Sequence, residues 1–280
     1  MHHSVEVELV SAEPWGTVYR LPLQGGAAWF KACMPVQAFE PRLTAVLSAR
    51  WPDRVTDVFA HVDGEWLLMG DAGSPIGSFR PYVNPPESWE AVLPLYAELQ
   101  RGEAMHVGEH LDGGVPDLRT DTLPARFEEL IARDLPLAAG EIDRLRRFAP
   151  RFAELCADLA SRGIPDSIQH DDLHMANVYE QDGGLRVLDW GDSCISHPFA
   201  SLFETFRHLD APEWEPRLRD VYLEPWGGAS LRGTFDLALR IGTIAHSFAW
   251  LRQFDNLPES ARAGFGLEGM LRLAVAQADE

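Results

Sequence analysis

The residues whose chemistry can be recognised from type and spacing lie between Ile168 and Asp192, in the segment IQHDDLHMANVYEQDGGLRVLDWGD. This segment brings two carboxylates, Asp172 and Asp189, close in sequence to the amide of Asn177. Phosphoryl transfer needs a carboxylate that orients the attacking hydroxyl and accepts its proton. It also needs oxygen ligands for the magnesium that neutralises the phosphates. The segment contains the residue types for both tasks.

The spacing within the segment supports this chemistry. His170, Asp172 and Asn177 follow the pattern H-x-D-x-x-x-x-N, which is typical of a kinase catalytic loop, and Asp189-Trp190-Gly191 forms a D-x-G metal-binding turn. The apolar stretch Leu185–Leu188 separates the two and is predicted to be a short strand. The pattern therefore predicts a loop, a strand and a second loop that converge on one site.

The chain has a single lysine, Lys31, among 24 lysine and arginine residues. Lys31 closes an apolar run, Ala27–Ala32, that predicts a strand near the N-terminus. A kinase uses a compact ammonium on such a strand to hold the α- and β-phosphates, and the wide guanidinium of arginine would not fit the same position. The alternative is that Lys31 is an ordinary surface residue.

The elements before residue 70 are predicted to form a five-stranded sheet with one helix inserted after the third strand. Turn signals at Gln24-Gly25-Gly26 and Asp63-Gly64 separate neighbouring strands. The helix is predicted at Pro41–Arg50, with proline at its first position. The five strands are predicted at Val5–Val10, Thr17–Pro22, Ala27–Ala32, Val55–His61 and Trp66–Met69.

The remainder of the chain shows helical periodicity. We expect an α+β chain with a small antiparallel β-sheet lobe with one helix (residues 1–70), a hinge (71–76) and a larger, mainly α-helical lobe (77–280). The helical lobe would contain the catalytic loop at 168–192 and the substrate pocket, and a nucleotide would bind between the lobes. Helices are predicted at Trp89–Met105, Leu123–Leu135, Glu141–Arg162, Phe199–His208 and Leu231–Phe254.

Composition limits the partners. The formal net charge is −19 and the pI is about 4.8, which argues against binding nucleic acid or an anionic membrane and suits a cationic substrate. No targeting segment or long apolar run is visible, so we expect a cytoplasmic protein, either monomer or homodimer. Cys33, Cys156 and Cys194 are widely spaced, which predicts reduced thiols rather than disulfides or a zinc site.

The catalytic segment resembles that of the aminoglycoside phosphotransferase-like kinases, the small-molecule branch of the protein-kinase-like fold. Their loop commonly reads H-G-D-L-H-x-x-N and is followed by I-D-W-G-D; here His170–Asn177 reads HDDLHMAN and Leu188–Asp192 reads LDWGD. The element order resembles that family over nearly the whole chain. The resemblance implies ATP- and Mg²⁺-dependent phosphorylation of a hydroxyl on a small molecule, such as an amino sugar, an aminoglycoside or another amine-bearing alcohol.

The resemblance also implies roles for individual residues. Asp172 would be the catalytic carboxylate, Asn177 and Asp189 would bind Mg²⁺, and Lys31 would hold the nucleotide phosphates. Glu40 is the expected acidic partner of Lys31, although a carboxylate at a helix start can equally act as a cap.

Further positions follow from the same resemblance. Residues Trp66–Gly73, including Met69 and Asp71, would contact the nucleotide base, and Gly16 would lie in a phosphate loop, although a lone glycine also suits any hairpin turn. His170 would support the loop by bonding to backbone near the metal turn, and Asp192 would help to order it.

Two departures from the family pattern stand out. Asp171 replaces the usual glycine after the histidine, and we expect its side chain to point to solvent. The stretch His197–Leu202 lacks both acids of the usual D-P-x-x-D-L pattern. Acids and aromatics of the helical lobe are expected to form the acceptor pocket, with candidates at Asp192, Glu204, His208, Trp250 and Asp255.

Three other interpretations compete. His170, Asp172 and His174 alternate, so on a strand they would face one side and could bind zinc or iron in a metal-dependent hydrolase. A kinase-like fold that has lost its chemistry would bind nucleotide without turnover, but such a loss usually removes the lysine, the catalytic aspartate or a metal ligand. A protein kinase would carry a long activation segment after the metal turn, whereas here an apolar helix is predicted within ten residues of Asp192.

Overall fold

The computed structural model describes residues 7–278. Its first part is an antiparallel sheet in which five strands are arranged in the order β1-β2-β3-β5-β4. Lys31 on β3 pairs with Val18 on β2 and Leu67 on β5, so it lies within the sheet and away from its edges. The strands are β1 (Glu8–Glu13), β2 (Gly16–Leu23), β3 (Gly26–Cys33), β4 (Val58–Val62) and β5 (Trp66–Gly70).

One helix, α1 (Glu40–Arg50), connects β3 to β4, as the sequence predicts. Pro41 occupies the first turn, where its missing N–H leaves no hydrogen bond unmade. The side chains of Leu43 and Leu47 are buried and anchor the helix to the core. Because α1 begins at Glu40, it brings that carboxylate to the level of Lys31 in the sheet.

Helices dominate the chain after the sheet, and most of the large buried side chains lie there. Trp89, Tyr96, Phe127 and Phe152 are each about 1% exposed or less. The helices are α2 (Trp89–Glu103), α3 (Val107–Asp112), α4 (Leu123–Ile131), α5 (Ala139–Ser161), α6 (Leu202–Arg207), α7 (Glu215–Leu223), α8 (Arg232–Asn256), α9 (Glu259–Arg262) and α10 (Leu267–Ala278). The predicted five-stranded sheet with one inserted helix, followed by a helical region, is confirmed.

Short strands frame the catalytic segment. β10 pairs with both β6 and β11, and β12 pairs with β9, all antiparallel. Because β6 falls within the predicted hinge, that stretch is tied directly to the catalytic segment instead of forming a free loop. A small hairpin, β7–β8, lies between the hinge and α2. These strands are β6 (Ser74–Pro75), β7 (Ser78–Phe79), β8 (Tyr82–Val83), β9 (Ser167–Gln169), β10 (Val178–Gln181), β11 (Gly184–Val187) and β12 (Cys194–Ser196).

Some predicted boundaries differ from the structure. Val5 and Glu6, part of the first predicted strand, lie outside the described residues, and β1 begins at Glu8. β4 starts at Val58, because Val55 instead forms an isolated bridge with Val187. Across residues 7–278, no helix is both long and apolar enough to cross a membrane.

Candidate active site

Lys31 joins the two halves of the candidate site. Its Nζ lies 2.7 Å and 2.8 Å from the two carboxylate oxygens of Glu40 and 2.6 Å from Oδ1 of Asp189, which is 158 residues away in sequence. Only 7% of the Lys31 side chain is exposed, so the interpretation of Lys31 as a surface residue is wrong. The expected Lys31–Glu40 contact is present in the structure.

The charges of this cluster perturb one another. Burial raises the pKa of Glu40 to about 7, even though the neighbouring ammonium of Lys31 lowers it. Burial alone would lower the pKa of Lys31, but the nearby carboxylates of Asp189 and Glu40 raise it well above its usual value. Burial works against ionisation of Asp189, and Lys31 nevertheless holds the pKa of that carboxyl below its usual value. Lys31 therefore stays protonated at neutral pH.

A cleft of about 240 Å³ opens between the sheet and the catalytic segment. Both predicted base contacts, Met69 and Asp71, line it, and an apolar wall is added by Val18, Trp29 and Leu188. Gly16 is not among the lining residues. A Cβ at that position would lie 3.4 Å from Cε of Lys31 and 3.1 Å from the carbonyl oxygen of Ala32. The structure therefore places Gly16 behind the lysine, where a small residue leaves room for the lysine side chain. The cleft is also lined by four of the predicted site residues, Lys31, Glu40, Asn177 and Asp189.

His170 fixes the catalytic loop to the metal turn through backbone contacts. Its ring Nε2 lies 2.7 Å from the carbonyl oxygen of Leu188, and Nδ1 accepts a hydrogen bond from the amide of Asp172 at 3.3 Å. Nε2 therefore carries the proton. Burial lowers the pKa of this histidine, which agrees with a neutral ring. The ring thus links Asp172 to the residue that precedes Asp189.

Asp172 and Asn177 face each other across the loop. The Asn177 amide donates to Oδ2 of Asp172 at 3.1 Å and to its carbonyl oxygen at 3.0 Å. His174 Nε2 lies 3.3 Å from the same Oδ2, while its Nδ1 accepts from the amide of Ala176. Burial lowers the pKa of His174, but the hydrogen bond to Asp172 raises it overall. The Asp172 carboxylate, 32% exposed, is thus held by two donors and still reachable from solvent.

The residues present fit a magnesium ion. Because the amide nitrogen of Asn177 is engaged by Asp172, its oxygen is the group left to bind a cation. Asp189 offers Oδ1 to Lys31, and 48% of its side chain is exposed. Mg²⁺ is usually bound by one or two protein carboxylates together with phosphate oxygens and water, so one carboxylate and one amide oxygen at the cleft suit it.

Asp171 does not point to solvent, and that expectation is wrong. The residue is only 4% exposed, and its Oδ1 lies 3.0 Å from Nδ1 of His246 on α8. Its backbone is left-handed, with φ of 62°. Sequence reasoning missed His246, although a histidine within the apolar run IGTIAHSFAW was a usable signal, because such a residue needs a buried polar partner.

The zinc or iron alternative has no support in the geometry. β9 ends at Gln169, so His170, Asp172 and His174 do not share a strand face, and His170 directs its Nε2 to backbone. Within the part of the chain that the structure describes, no group of three or more histidine, cysteine or acidic side chains is arranged to hold a metal. The three cysteines are free thiols, as expected.

The acids expected in the acceptor pocket have basic or amide partners. Glu204, 4% exposed, contacts Arg207, His208 and His246, while Asp255 pairs with Arg133. Asp192 accepts from Gln253 at 2.8 Å and lies 3.4 Å from Arg252. Burial and the charge of Asp172 raise the pKa of Asp192 to about 6. A second cavity, of about 360 Å³, adjoins the loop and is lined by Asp171, Asp192, Asp255, Arg252 and residues of α4 and α8.

Comparison with known proteins identifies the class. Residues 70–236 match the model of the phosphotransferase enzyme family, APH. The chain belongs to this family, which confirms the resemblance to aminoglycoside phosphotransferase-like enzymes and supports a phosphotransferase that acts on small molecules. No curated protein sequence matches the chain.

Solved structures share the fold at low sequence identity. The choline kinase LicA from Streptococcus pneumoniae superposes with a TM-score of 0.67 at 14% identity, covering 98% of this chain and 93% of LicA. APH(2")-IIia, solved with GDP and kanamycin, gives 0.66 at 14% identity, covering 99% and 94%. An ethanolamine kinase from Plasmodium vivax gives 0.64 at 11% identity, covering 99% and 83%. These similarities establish the two-lobed kinase-like α+β fold.

Proposed function

We propose that this chain is an ATP- and Mg²⁺-dependent phosphotransferase that phosphorylates a hydroxyl group of a small molecule. The observation that carries the proposal is the 2.6 Å contact between Lys31 and Asp189. It joins the single lysine of the sheet to the metal turn, at a cleft that Asn177 also lines. A buried, protonated lysine facing oxygen ligands is the arrangement that binding of a magnesium-nucleotide requires.

Each group has a role in this proposal. Lys31 holds the nucleotide phosphates, and Glu40 orients its ammonium. Asn177 and Asp189 hold Mg²⁺, which when bound neutralises charge on the phosphates. Asp172 orients the acceptor hydroxyl and accepts its proton, and its carboxylate is kept in position by the Asn177 amide. Most of the rate enhancement then comes from positioning and from neutralisation of charge.

The nucleotide is proposed to bind in the cleft of about 240 Å³, with its base near Met69 and Asp71. Structures of the same fold have been solved with GDP, ADP or AMP, which supports a purine nucleotide here. The proposed lobes, residues 1–70 and 77–280 joined by a hinge at 71–76, enclose this cleft.

The acceptor is proposed to be an amine-bearing alcohol, in keeping with the excess of acids in the chain. It would bind at the helical lobe, next to the cavity lined by Asp171, Asp192 and Asp255. Neighbours described as choline, ethanolamine and aminoglycoside enzymes support this acceptor class. A cytoplasmic monomer or homodimer remains the prediction for the protein's location and assembly.

The test is Mg²⁺-dependent release of ADP from ATP, measured with a panel of amino sugars, aminoglycosides and amino alcohols. A positive acceptor should show a mass increase of one phosphate. Asp172→Asn should lower kcat and kcat/KM alike, by about 10²- to 10⁴-fold, with nucleotide affinity unchanged. Asp189→Asn should weaken magnesium-nucleotide binding.

The alternative of an inactive nucleotide-binding module predicts a different outcome. It would bind magnesium-nucleotide, and Asp189→Asn would still weaken that binding, but no acceptor would stimulate ADP release. Near-normal turnover of Asp172→Asn on a true acceptor would exclude the role given to Asp172.

A further inference from the structure

A buried chain of charges lies directly behind the catalytic loop. Asp171, His246 and Glu204 are each 4% exposed. His246 lies between the two carboxylates, with Nδ1 3.0 Å from Asp171 Oδ1 and Nε2 3.1 Å from Glu204 Oε2. The three residues come from the loop, from α8 and from α6, so the chain of charges ties three distant segments together.

The imidazole is held as a cation by this arrangement. Burial lowers its pKa, but the charges and hydrogen bonds of Asp171 and Glu204 outweigh burial and raise it to about 10. Glu204 is in turn fixed by Arg207, whose guanidinium donates to both carboxylate oxygens at 2.8 Å and 2.9 Å. Nδ1 of His246 therefore donates to Asp171, while Nε2 lies 3.1 Å from Glu204 Oε2 and also 3.1 Å from the indole Nε1 of Trp250. Neither carboxylate is left without a positive partner.

Asp171 needs such a partner because its carboxylate is buried, and its backbone is in addition strained. With φ of 62° it occupies the left-handed region, which is unfavourable for an ordinary residue and costs glycine very little. Family members commonly have glycine at this position. In this chain the strained backbone coincides with a side chain that bonds to a buried cation, and the next residue is Asp172.

We propose that His246 is a positioning residue: by holding the Asp171 side chain it fixes the left-handed backbone that aims the Asp172 carboxylate. The role of Asp172 rests on the proposed function, but the tether between α8 and the loop does not.

Neighbouring contacts explain why one more anchor matters. The loop is already fixed before Asp171, where the amide of His170 donates to the Tyr96 hydroxyl at 2.9 Å. It is fixed again after Asp172, where the carbonyl oxygen of Leu173 accepts from Thr205 at 2.7 Å. The two aspartates lie between these anchors, and the contact with His246 is the one that fixes Asp171 itself.

Two substitutions at Asp171 separate the tether from the backbone requirement. Asp171→Gly adopts the left-handed conformation without strain but loses the tether, and Asp171→Asn keeps an oxygen for His246 but loses the charge. We expect Asp171→Gly to lower kcat about 100-fold, the loss typical of a misplaced catalytic group, with the nucleotide KM within about twofold of wild type. The kcat of Asp171→Asn should lie between that of wild type and that of Asp171→Gly. Wild-type kcat in Asp171→Gly would overturn the proposal.

Substitution of the partner tests the same contact from the other side. His246→Gln should lower kcat in the same way, and adding Asp171→Gly should lower it little further, because both changes remove one contact. His110→Gln is the matched control, because His110 is equally buried and lies 2.7 Å from the carboxylate of Glu103, away from the loop. It should lower the melting temperature and leave kcat unchanged. Equal kcat losses in both histidine variants, or fully additive losses at 171 and 246, would contradict a specific positioning role.

A measurement that needs no activity keeps the two proposals separate. The amide of His174 donates to the carbonyl oxygen of Asp172 at 3.0 Å, so its hydrogen exchange reports the order of the loop. In Asp171→Gly its protection should fall at least about tenfold, while amides of α5 keep theirs. Unchanged protection would overturn the tether even in an active enzyme. Lost protection in a protein that transfers no phosphate would support the tether and refute the proposed function.

Discussion

Replacement of Lys31 should separate stability from function, because its partner Glu40 is only 2% exposed. In Lys31→Met the Glu40 carboxylate loses the ammonium 2.7 Å away. Removing one member of a buried ion pair typically costs about 3–5 kcal/mol, because the other charge is left unpaired. Asp189 adds little to this cost, since about half of its side chain is open to water.

The pH dependence identifies Glu40 as the source of the cost. Its pKa in the folded protein is about 7 with Lys31 present, against an ordinary value of 4.5. Without Lys31, which lowers it, that pKa should rise further. The contribution of the neutral carboxyl to stability is fully present below about pH 4.5 and is lost as the pH rises through the folded pKa. The free energy of unfolding then falls by about 1.4 kcal/mol per pH unit. Lys31→Met should therefore be least stable, relative to wild type, at alkaline pH.

Urea unfolding of wild type and Lys31→Met at pH 5.5 and 8.5 gives the required free energies. The double variant Lys31→Met/Glu40→Leu is the matched control, because it removes both charges. It should regain the lost stability and could exceed wild type by about 1–4 kcal/mol, since apolar replacements of buried ion pairs are often stabilising. Both variants should lack phosphoryl transfer. A single variant equally destabilised at both pH values, or a double variant less stable than the single one, would refute this reasoning.

Two further predictions concern stability. The imidazolium of His246 contributes stability that is fully present below pH 6.5, its ordinary pKa, and is lost as the pH rises through about 10. The free energy of unfolding, measured from pH 7 to 10.5, should therefore fall in the wild-type protein and fall much less in His246→Gln. In Gly191→Ala the new Cβ would overlap the amide at the end of the Gln37 side chain. Because Gln37 is only 2% exposed, that side chain has little room to move, so urea unfolding should show a loss of about 1–3 kcal/mol. Gly140→Ala, with no atom within 4 Å of its Cβ, should show no loss and serves as the control. A flat wild-type pH profile, or equal effects of the two alanines, would contradict these expectations.

The parts of the site that sequence reasoning could predict are local in the chain. His170, Asp172 and Asn177 lie on one short loop, and their mutual geometry follows from backbone reach. Lys31 was identifiable because it is the single lysine and ends an apolar strand. The sheet and the inserted helix were predictable because alternation, turn residues and Pro41 are local signals.

The predictions that were wrong concern residues whose environment depends on contacts between distant segments. A charged residue in a loop suggests exposure, and for Asp171 that inference is wrong because His246, 75 residues away, supplies a buried cation. Glu204 was expected to contact the substrate for the same reason, but in the structure it is surrounded by Arg207, His208 and His246.

By itself, the sequence determined which chemical groups this protein has and in what order, because catalytic residue types and strand patterns are written over short spans. Only the tertiary structure decided which charges are paired and which stay open to a ligand. The physical reason is that the environment of a charge depends on every segment packed around it. For Asp171 and Glu204 those segments include α8, which lies far along the chain.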